Sequence, residues 1–264
     1  MTPKKSLLLD EIIREYLKQQ EPIGSESLRL SLNIKISSAT IRNHFKTLVE
    51  EGALAQPHVS SGRIPTELAL KNYWRKKLLP LEMLEFESLK KIEQSARETG
   101  IFCALRFYKP NFLQEVVSVG TRFLVLGFEE GEAVVKYSGA MERFLGELVG
   151  LEIRDIRKIA YQVCAHELAT KLDHLLEGEP VLTFGLKELA ELLQPSREGE
   201  RLFHDISKGK WLDTLEEGLY FDRFIPRGAL AFIQQIRVEK SAAKLMFMGS
   251  LNRNYEAFYQ EALA

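Results

Sequence analysis

The order of apolar and polar positions near the start of the chain predicts two helices joined by a turn. Pro22 disfavours helical geometry at the residue before it, and Gly24 permits a turn. Ser25 is then expected to cap a short second helix. Residues 5–20 form the first helix because apolar side chains recur at helical spacing, with charged side chains between them. These apolar residues are Leu8, Ile12, Ile13, Tyr16 and Leu17.

The next segment predicts a third helix followed by a β-hairpin. After a connector at residues 33–36, Ser37 or Ser38 caps the helix, which stops at Gly52, a residue type favoured just past helix ends. Residues 53–66 combine two short extended stretches with a polar, turn-forming centre. Three helices and a hairpin in this order are typical of a winged helix-turn-helix, in which one helix enters the DNA major groove.

The remainder of the chain predicts a mixed α/β region. The helical period returns at residues 67–79, Pro80 closes that block, and a further helix is expected over Met83–Arg97. A helical pattern also covers residues 142–177. The expected strands are IFCALRFY, EVVSV, the hairpin TRFLVLGF and AVVKYS, GEPVLTFG, and the adjacent pair RGALAFIQQIRV and AKLMFMGSL. The helices KELAELL and NYEAFYQEAL complete the pattern. The predicted fold class is therefore α+β.

Charge is distributed unevenly along the chain, which supports a division into domains. Residues 1–80 contain 13 Lys or Arg and 8 Asp or Glu, a net charge of +5, whereas the remainder contains 23 and 29, a net charge of −6. A basic block favours contact with nucleic acid. We expect a winged-helix DNA-binding domain at 1–80, a linker helix at 81–100 and a mixed α/β domain at 101–264.

Composition limits the class of protein and its compartment. Hydrophobic residues make up 45% and charged residues 28% of the chain, which is ordinary for a globular protein. No apolar run is long enough to span a membrane, and Asp10 and Glu11 interrupt the segment where a signal peptide would need its apolar centre. Cys103 and Cys164 match no disulfide framework, and both are expected to be buried. These features predict a cytoplasmic protein.

The third helix carries two faces of different chemistry. At 100° per residue, Ile41, Phe45 and Leu48 form one apolar stripe. An arginine can bind guanine and an asparagine can bind adenine through paired hydrogen bonds, whereas hydroxyl groups near a helix N-terminus suit phosphate. The opposite face and its margins therefore supply the candidate DNA contacts. These are Ser38, Thr40, Arg42, Asn43, Lys46 and Thr47.

The tip of the hairpin is the second candidate contact. Its polar side chains are Gln56, His58, Ser60, Ser61 and Arg63. An arginine beside a glycine in such a loop is expected to follow the phosphate backbone or to enter the minor groove. Each element taken alone also fits an ordinary solvated surface, but the helix, the turn and the hairpin together favour DNA binding.

The same segments resemble a known family. EPIGS, SSATIRN, VEEG and QPHVSSGRIPT, in this order within residues 10–75, are similar to the N-terminal domain of the HrcA family of heat-inducible transcription repressors. His44 and Phe45 stand where the family more often has an acidic residue and methionine, a difference that can alter base preference. PVLTFGLKELAEL and AAKLMFMGSLNRNYEAFYQEAL resemble later family segments, although MGSLNRNY lacks the usual glycine- and proline-containing stretch.

The resemblance implies a function and a second domain. It implies a bacterial homodimer that binds an inverted-repeat operator of double-stranded DNA upstream of chaperone operons. A chaperonin would act as modulator by helping to keep the repressor active, and heat stress would release the operons. The second domain would be GAF-like with a helical dimerisation insertion, and the insertion is expected to be reduced because family members are usually longer.

Other classes of function find less support. The five histidines have no metal-type spacing, and the sequence contains no Walker A, dinucleotide-binding or nucleophile-elbow motif. We therefore expect no metal, no cofactor and no enzymatic activity. The alternative is a winged-helix regulator whose GAF-like domain senses a small molecule, which a pocket with converging polar groups would indicate. Double-stranded RNA fits poorly, because its major groove does not admit a recognition helix.

Overall fold

The chain folds into two compact units, and the second is inserted into the sequence of the first. Unit 1 consists of residues 1–106 and 181–264, and unit 2 consists of residues 107–180. The computed structural model describes residues 3–32, 36–58, 61–78, 83–176, 180–193, 196–222 and 225–263. Most of the predicted connector 33–36 and the predicted stop at Pro80 lie outside the described residues. The sequence predicts a domain at residues 1–80, a linker helix at 81–100 and a second domain at 101–264. That these segments fold independently stays a prediction.

Three helices and a short hairpin open unit 1, in the predicted order. They are α1 (Pro3–Gln19), α2 (Ser25–Ser31), α3 (Ser38–Glu50), β1 (Leu54–Ala55) and β2 (Ile64–Pro65), with the two strands antiparallel. The elements that follow in unit 1 are α4 (Glu67–Lys77), β3 (Leu84–Phe86), α5 (Leu89–Thr99) and β4 (Phe102–Phe107). After unit 2 come β8 (Val181–Phe184), α9 (Leu186–Leu192), α10 (Arg197–Ser207), α11 (Lys210–Thr214), β9 (Gly218–Tyr220), β10 (Ala229–Val238), β11 (Ser241–Ser250) and α12 (Tyr255–Leu263).

The ends of α2 and α3 are set by local hydrogen bonds. Ser37 caps α3, because its hydroxyl accepts from the Thr40 amide at 3.1 Å, and Gly52 follows the helix at a φ of +73°. Both features were predicted. The expected cap of α2 was wrong by one residue: Gly24 has extended backbone and its carbonyl already accepts from the Leu28 amide, so Ser25 is the first helical residue.

The predicted apolar stripes of the N-terminal helices are buried. In α1 these are Leu8, Ile12, Ile13 and Leu17, while Tyr16 is only half-buried. α4 packs towards the end of the chain: the Trp74 indole donates to the Leu251 carbonyl at 2.8 Å, and the Tyr73 hydroxyl donates to Glu256 at 2.5 Å. The first helices and the last helix therefore belong to the same unit.

A mixed sheet forms the centre of unit 1, with helices on both faces. Its strand order is β3-β10-β11-β4-β8, and β9 pairs with another part of β10. β10 and β11 form the predicted antiparallel pair, in register from Ala229↔Ser250 to Val238↔Ser241. Phe247 contacts Phe258 of α12 on one face, while Met246 and Met248 join the core formed with α9, α10 and α11 on the other. The α+β class is thus confirmed.

Unit 2 contains an antiparallel sheet covered on one face by three helices. The strands are β5 (Leu113–Val119), β6 (Phe123–Phe128) and β7 (Glu132–Lys136), in the order β5-β6-β7, and they include the predicted hairpin. The helices are α6 (Gly139–Gly146), α7 (Ile153–Gln162) and α8 (His166–Leu176). Their buried core is built from residues such as Leu124, Leu126, Val135, Ile156 and Leu172.

Two helix predictions were wrong in extent. The helix expected from Met83 begins only at Leu89, because residues 84–86 pair in parallel with β10 as β3. The single helical stretch expected over 142–177 is three helices. It breaks near Gly150, at a φ of +89°, and at Cys164, at a φ of +58°, and neither conformation is helical.

The two cysteines differ in environment. Cys103 on β4 is fully buried, as predicted, and burial raises the pKa of its thiol. Cys164 was expected to be buried on a helix face, but it is exposed in the turn between α7 and α8. Within the described residues, no helix has the length and apolar character needed to cross a membrane, and no cluster of three or more His, Cys, Asp or Glu side chains could hold a metal ion.

Candidate nucleic-acid interface

α3 separates a buried stripe from an exposed polar surface. Ile41, Phe45 and Leu48 are each no more than 3% exposed and anchor the helix. The predicted contacts Thr40, Arg42, Asn43, Lys46 and Thr47 are all exposed, and we call this set the α3 contact face. A helix carrying cationic and amide side chains outward can present them to base edges in a groove.

The hydroxyl groups at the start of α3 form hydrogen bonds with neighbouring residues of the protein. The Ser37 hydroxyl is 2.9 Å from the Thr40 hydroxyl, in addition to its bond with the Thr40 amide. The predicted contact Ser38 is half-buried, and its hydroxyl donates to Glu26 Oε2 at 2.5 Å. Farther along the helix, the Thr47 hydroxyl donates to the Asn43 carbonyl at 3.1 Å.

Glu26 is a member of this surface that the sequence pattern did not indicate. Its Oε1 accepts from Arg29 Nε at 2.9 Å and from Arg29 Nη2 at 2.5 Å, while its Oε2 accepts from Ser38. These hydrogen bonds, led by those from Arg29, lower the pKa of the Glu26 carboxyl to about 2. The signal available in the sequence was an acidic residue in the first turn of α2, and only the packing of α2 on α3 brings it to Ser38.

The base of the hairpin is joined to the turn between α1 and α2. Ile23 and Arg63 form an isolated antiparallel bridge through their backbones. A Cβ atom on Gly62 would lie 2.6 Å from backbone atoms of Pro22 and Ile23, so glycine is the residue that permits this approach. Residues 22–23 and 62–63, which are about 40 residues apart in the sequence, therefore form one structural joint.

Hydrogen bonds between His58 and Ser61 stabilise the described part of the hairpin tip. The Ser61 amide donates to the His58 carbonyl at 2.9 Å, and the His58 amide donates to the Ser61 hydroxyl at 3.0 Å. Gln56 and His58 are exposed, and Ser61 is half-buried. Ser60, another predicted contact, lies outside the described residues. The tip thus presents two exposed polar side chains, Gln56 and His58.

The guanidinium group of Arg63 contacts other residues of its own domain. Its Nη1 donates to the Ser61 carbonyl at 3.0 Å, and its guanidinium carbon lies 6.0 Å from the centre of the Phe45 ring. Its Nε is buried and has no hydrogen-bond partner among the described residues. Arg63 thereby connects the hairpin with the buried side of α3, and its predicted DNA contact stays a prediction.

Comparisons with known proteins agree with this architecture. A family model described as the HrcA C-terminal domain matches residues 74–263. A crystal structure described only as that of a hypothetical protein has a TM-score of 0.50 and 21% identity, and the match covers 98% of this chain and 93% of that one. This likeness shows a shared fold and nothing about activity.

Two similar proteins support the assignment of the chain to a family. A heat-inducible transcription repressor HrcA from Helicobacter pylori strain J99 is 37% identical over 258 residues, covering 97% of this chain and 93% of the relative. Its counterpart from Helicobacter pylori strain ATCC 700392 / 26695 is 36% identical over 262 residues, with the same coverage. Both are transcription regulators, so the prediction of a non-enzymatic regulator is confirmed. The chain belongs to the HrcA family of heat-inducible transcription repressors.

Proposed function

We propose that this repressor binds an inverted-repeat operator upstream of chaperone operons, with α3 as the recognition helix of a winged helix-turn-helix and the β1–β2 hairpin as the wing. One observation carries the proposal. The apolar stripe of α3 is fully buried, while the α3 contact face is exposed along the length of the helix. A helix fixed in this way can enter the major groove without leaving the domain.

The exposed side chains differ in the role that their chemistry supports. Arg42 and Asn43 can pair with base edges, and Lys46 adds a positive charge for phosphate. Thr40 and Thr47 are placed to add polar contacts at either end of this face. The wing residues Gln56, His58, Ser61 and Arg63, together with Ser60, which lies outside the described residues, would meet the adjacent backbone or minor groove.

We further propose a homodimer that pairs two such domains, because a two-fold operator requires a two-fold protein. The outer face of the unit 2 sheet supports a second copy of the chain as the partner. Val117, Val119, Phe123 and Val134 are each more than 40% exposed on this sheet, and we call them the unit 2 apolar face. Val119 lies opposite Phe123 in the strand register, so the exposed side chains are adjacent. Unit 2 would then be the reduced dimerisation insertion of a GAF-like domain.

Control by heat completes the proposal. In the bacterial cytoplasm, a chaperonin would help to keep the repressor active until unfolded clients occupy the chaperonin, at which point the operons are released. The family resemblance supports this scheme, and the marginal stability of folded domains makes thermal loss of active repressor physically reasonable. Operator affinity measured before heating and during recovery, with and without chaperonin, tests it. Identical recovery under both conditions would contradict a role for the chaperonin.

Footprinting of the purified chain on the chaperone promoters of its own genome tests the central claim. We expect protection of two symmetric half-sites, and hydroxyl-radical cleavage should place the protected backbone on one side of the duplex at each half-site. Arg42→Ala should weaken the same protection pattern. Uniform protection along the fragment, or none, would contradict operator recognition by α3.

A further inference from the structure

Glu26 lies at the proposed DNA surface although it is acidic. Its side chain is 61% exposed, and it reaches Ser38, the first residue of α3, at 2.5 Å. In helix-turn-helix proteins the N-terminal residues of the recognition helix enter the groove, and the preceding helix crosses the phosphate backbone. The hydrogen bonds from Arg29 and Ser38 therefore fix a carboxylate where α2 and α3 meet the duplex.

The charge on Glu26 persists under the conditions in which DNA is bound. Its hydrogen bonds hold the pKa of the carboxyl at about 2, and the positive charge of Arg42 acts in the same direction. The group is thus ionised far below neutral pH. Arg42, the candidate base reader, therefore lies near enough for its positive charge to act on the Glu26 carboxylate.

A fixed carboxylate affects two kinds of DNA complex differently. Phosphate oxygens repel it, and contacts to phosphate supply nearly all of the affinity for DNA of arbitrary sequence. A base edge in the major groove can instead offer an amino donor, as cytosine does, and a carboxylate accepts that hydrogen bond. Repulsion of the wrong partner is a recognised route to specificity.

We propose that Glu26 is a specificity-determining residue, whose carboxylate disfavours DNA phosphate at the N-terminus of α3 and so weakens binding to random duplexes more than to the operator. The inference rests on the proposed function, because it requires α3 to enter the groove. It adds to that function a residue on α2 that opposes non-specific binding.

Glu26→Gln tests this role in the full-length chain. Glutamine has nearly the same shape and keeps a carbonyl oxygen that can accept from Ser38 or Arg29, so the fold should be retained, which thermal unfolding verifies. Binding is measured by fluorescence anisotropy on the footprinted duplex and on a random duplex of equal length and composition. We expect affinity for the random duplex to rise about threefold at low salt, from the loss of one screened repulsion. Affinity for the operator should rise less.

Salt and a matched control separate this effect from a change in net charge. The gain on the random duplex should shrink as salt rises, because screening shortens the range of the repulsion. Glu50→Gln changes the net charge equally at the other end of α3, about 18 Å away along the helix axis. It should leave the ratio of the two affinities unchanged.

The outcomes decide between alternatives. An equal gain on both duplexes, or no gain on the random duplex, would overturn the proposal. If Glu26→Gln weakened binding to the operator and left binding to the random duplex unchanged, the proposal would also be overturned. Glu26 would then act by supporting Arg42. If the wild-type chain shows no preference for the footprinted duplex, the proposed function fails as well. A clear wild-type preference that Glu26→Gln does not alter defeats this inference alone.

Discussion

Ile23 and Arg63 exchange both of their backbone hydrogen bonds: each amide donates to the other residue's carbonyl, at 2.8 and 2.9 Å. This pair holds the hairpin against the turn between α1 and α2. The side chain of Arg63 extends from this pair to the Phe45 ring, on the buried side of α3. The position of the hairpin relative to α3 is thus set by a joint made from two short segments far apart in sequence.

Gly62→Ala should destabilise this joint. The added Cβ would lie 2.6 Å from backbone atoms of Pro22 and Ile23, which cannot move without shifting the turn. Such overpacking costs about 1–3 kcal/mol, and urea unfolding of the full chain should show a loss of that size. Gly139→Ala is the control, since its added Cβ would have no atom within 4 Å apart from its chain neighbours and the backbone of its own helix. If the two variants were equally stable, the close approach of Gly62 to the backbone of Pro22 and Ile23 would be contradicted.

Arg42→Ala should weaken operator binding by about 1–3 kcal/mol if Arg42 contacts a base edge, and binding to random duplex should weaken much less. The measurement is a titration on both duplexes at fixed salt. Lys90→Ala, which removes an exposed cation from α5, is the control for net charge. Equal losses on both duplexes would reassign Arg42 to phosphate contact.

Phe123→Lys should weaken self-association if the unit 2 apolar face is the dimer interface. A charge placed among the apolar side chains of Val117, Val119 and Val134 would be costly to bury in such an interface. Sedimentation velocity over a concentration series should show a shift from dimer to monomer. Leu186→Lys, at an exposed apolar position of unit 1, should leave the dimer intact. An unchanged dimer for Phe123→Lys would place the interface elsewhere.

The two cysteines should differ in reactivity. Iodoacetamide requires an accessible thiolate, so Cys164 should be alkylated in the native protein, whereas Cys103 should react only after unfolding because it is fully buried and the pKa of its thiol is raised. Peptide mass spectrometry after short labelling, with and without urea, measures both sites. Equal labelling of Cys103 in the two conditions would contradict its burial in β4.

The sequence predicted the elements whose stability is local. The buried stripe of α3 depends on the helical spacing of Ile41, Phe45 and Leu48. The cap depends on a hydrogen bond that Ser37 makes within one turn. Both can therefore be predicted from residues that are close in the sequence. The strand over residues 84–86 could not, because its pairing partner in β10 lies about 150 residues later. The exposure of Cys164 depends on a positive φ that its apolar neighbours do not indicate.

The candidate site shows the same division. The outward direction of Arg42 and Asn43 follows from the helical wheel and agrees with their exposure in the structure. The bond from Ser38 to Glu26 and the contact of Arg63 with Phe45 depend on tertiary packing. Sequence reasoning therefore found the residues on the outer face of α3 but could not find the partners that restrain them.

Unit 2 leaves and rejoins the sheet of unit 1 at directly paired positions, because Arg106, one residue before the end of β4, lies opposite Val181 at the start of β8. Two antiparallel strands whose ends are paired need only a tight turn to connect them. Residues 107–180 could therefore be excised and replaced by a two-residue loop, which would convert β4 and β8 into a continuous hairpin. The insertion point is a natural place for the length of such a chain to vary while its central sheet keeps the same strand order.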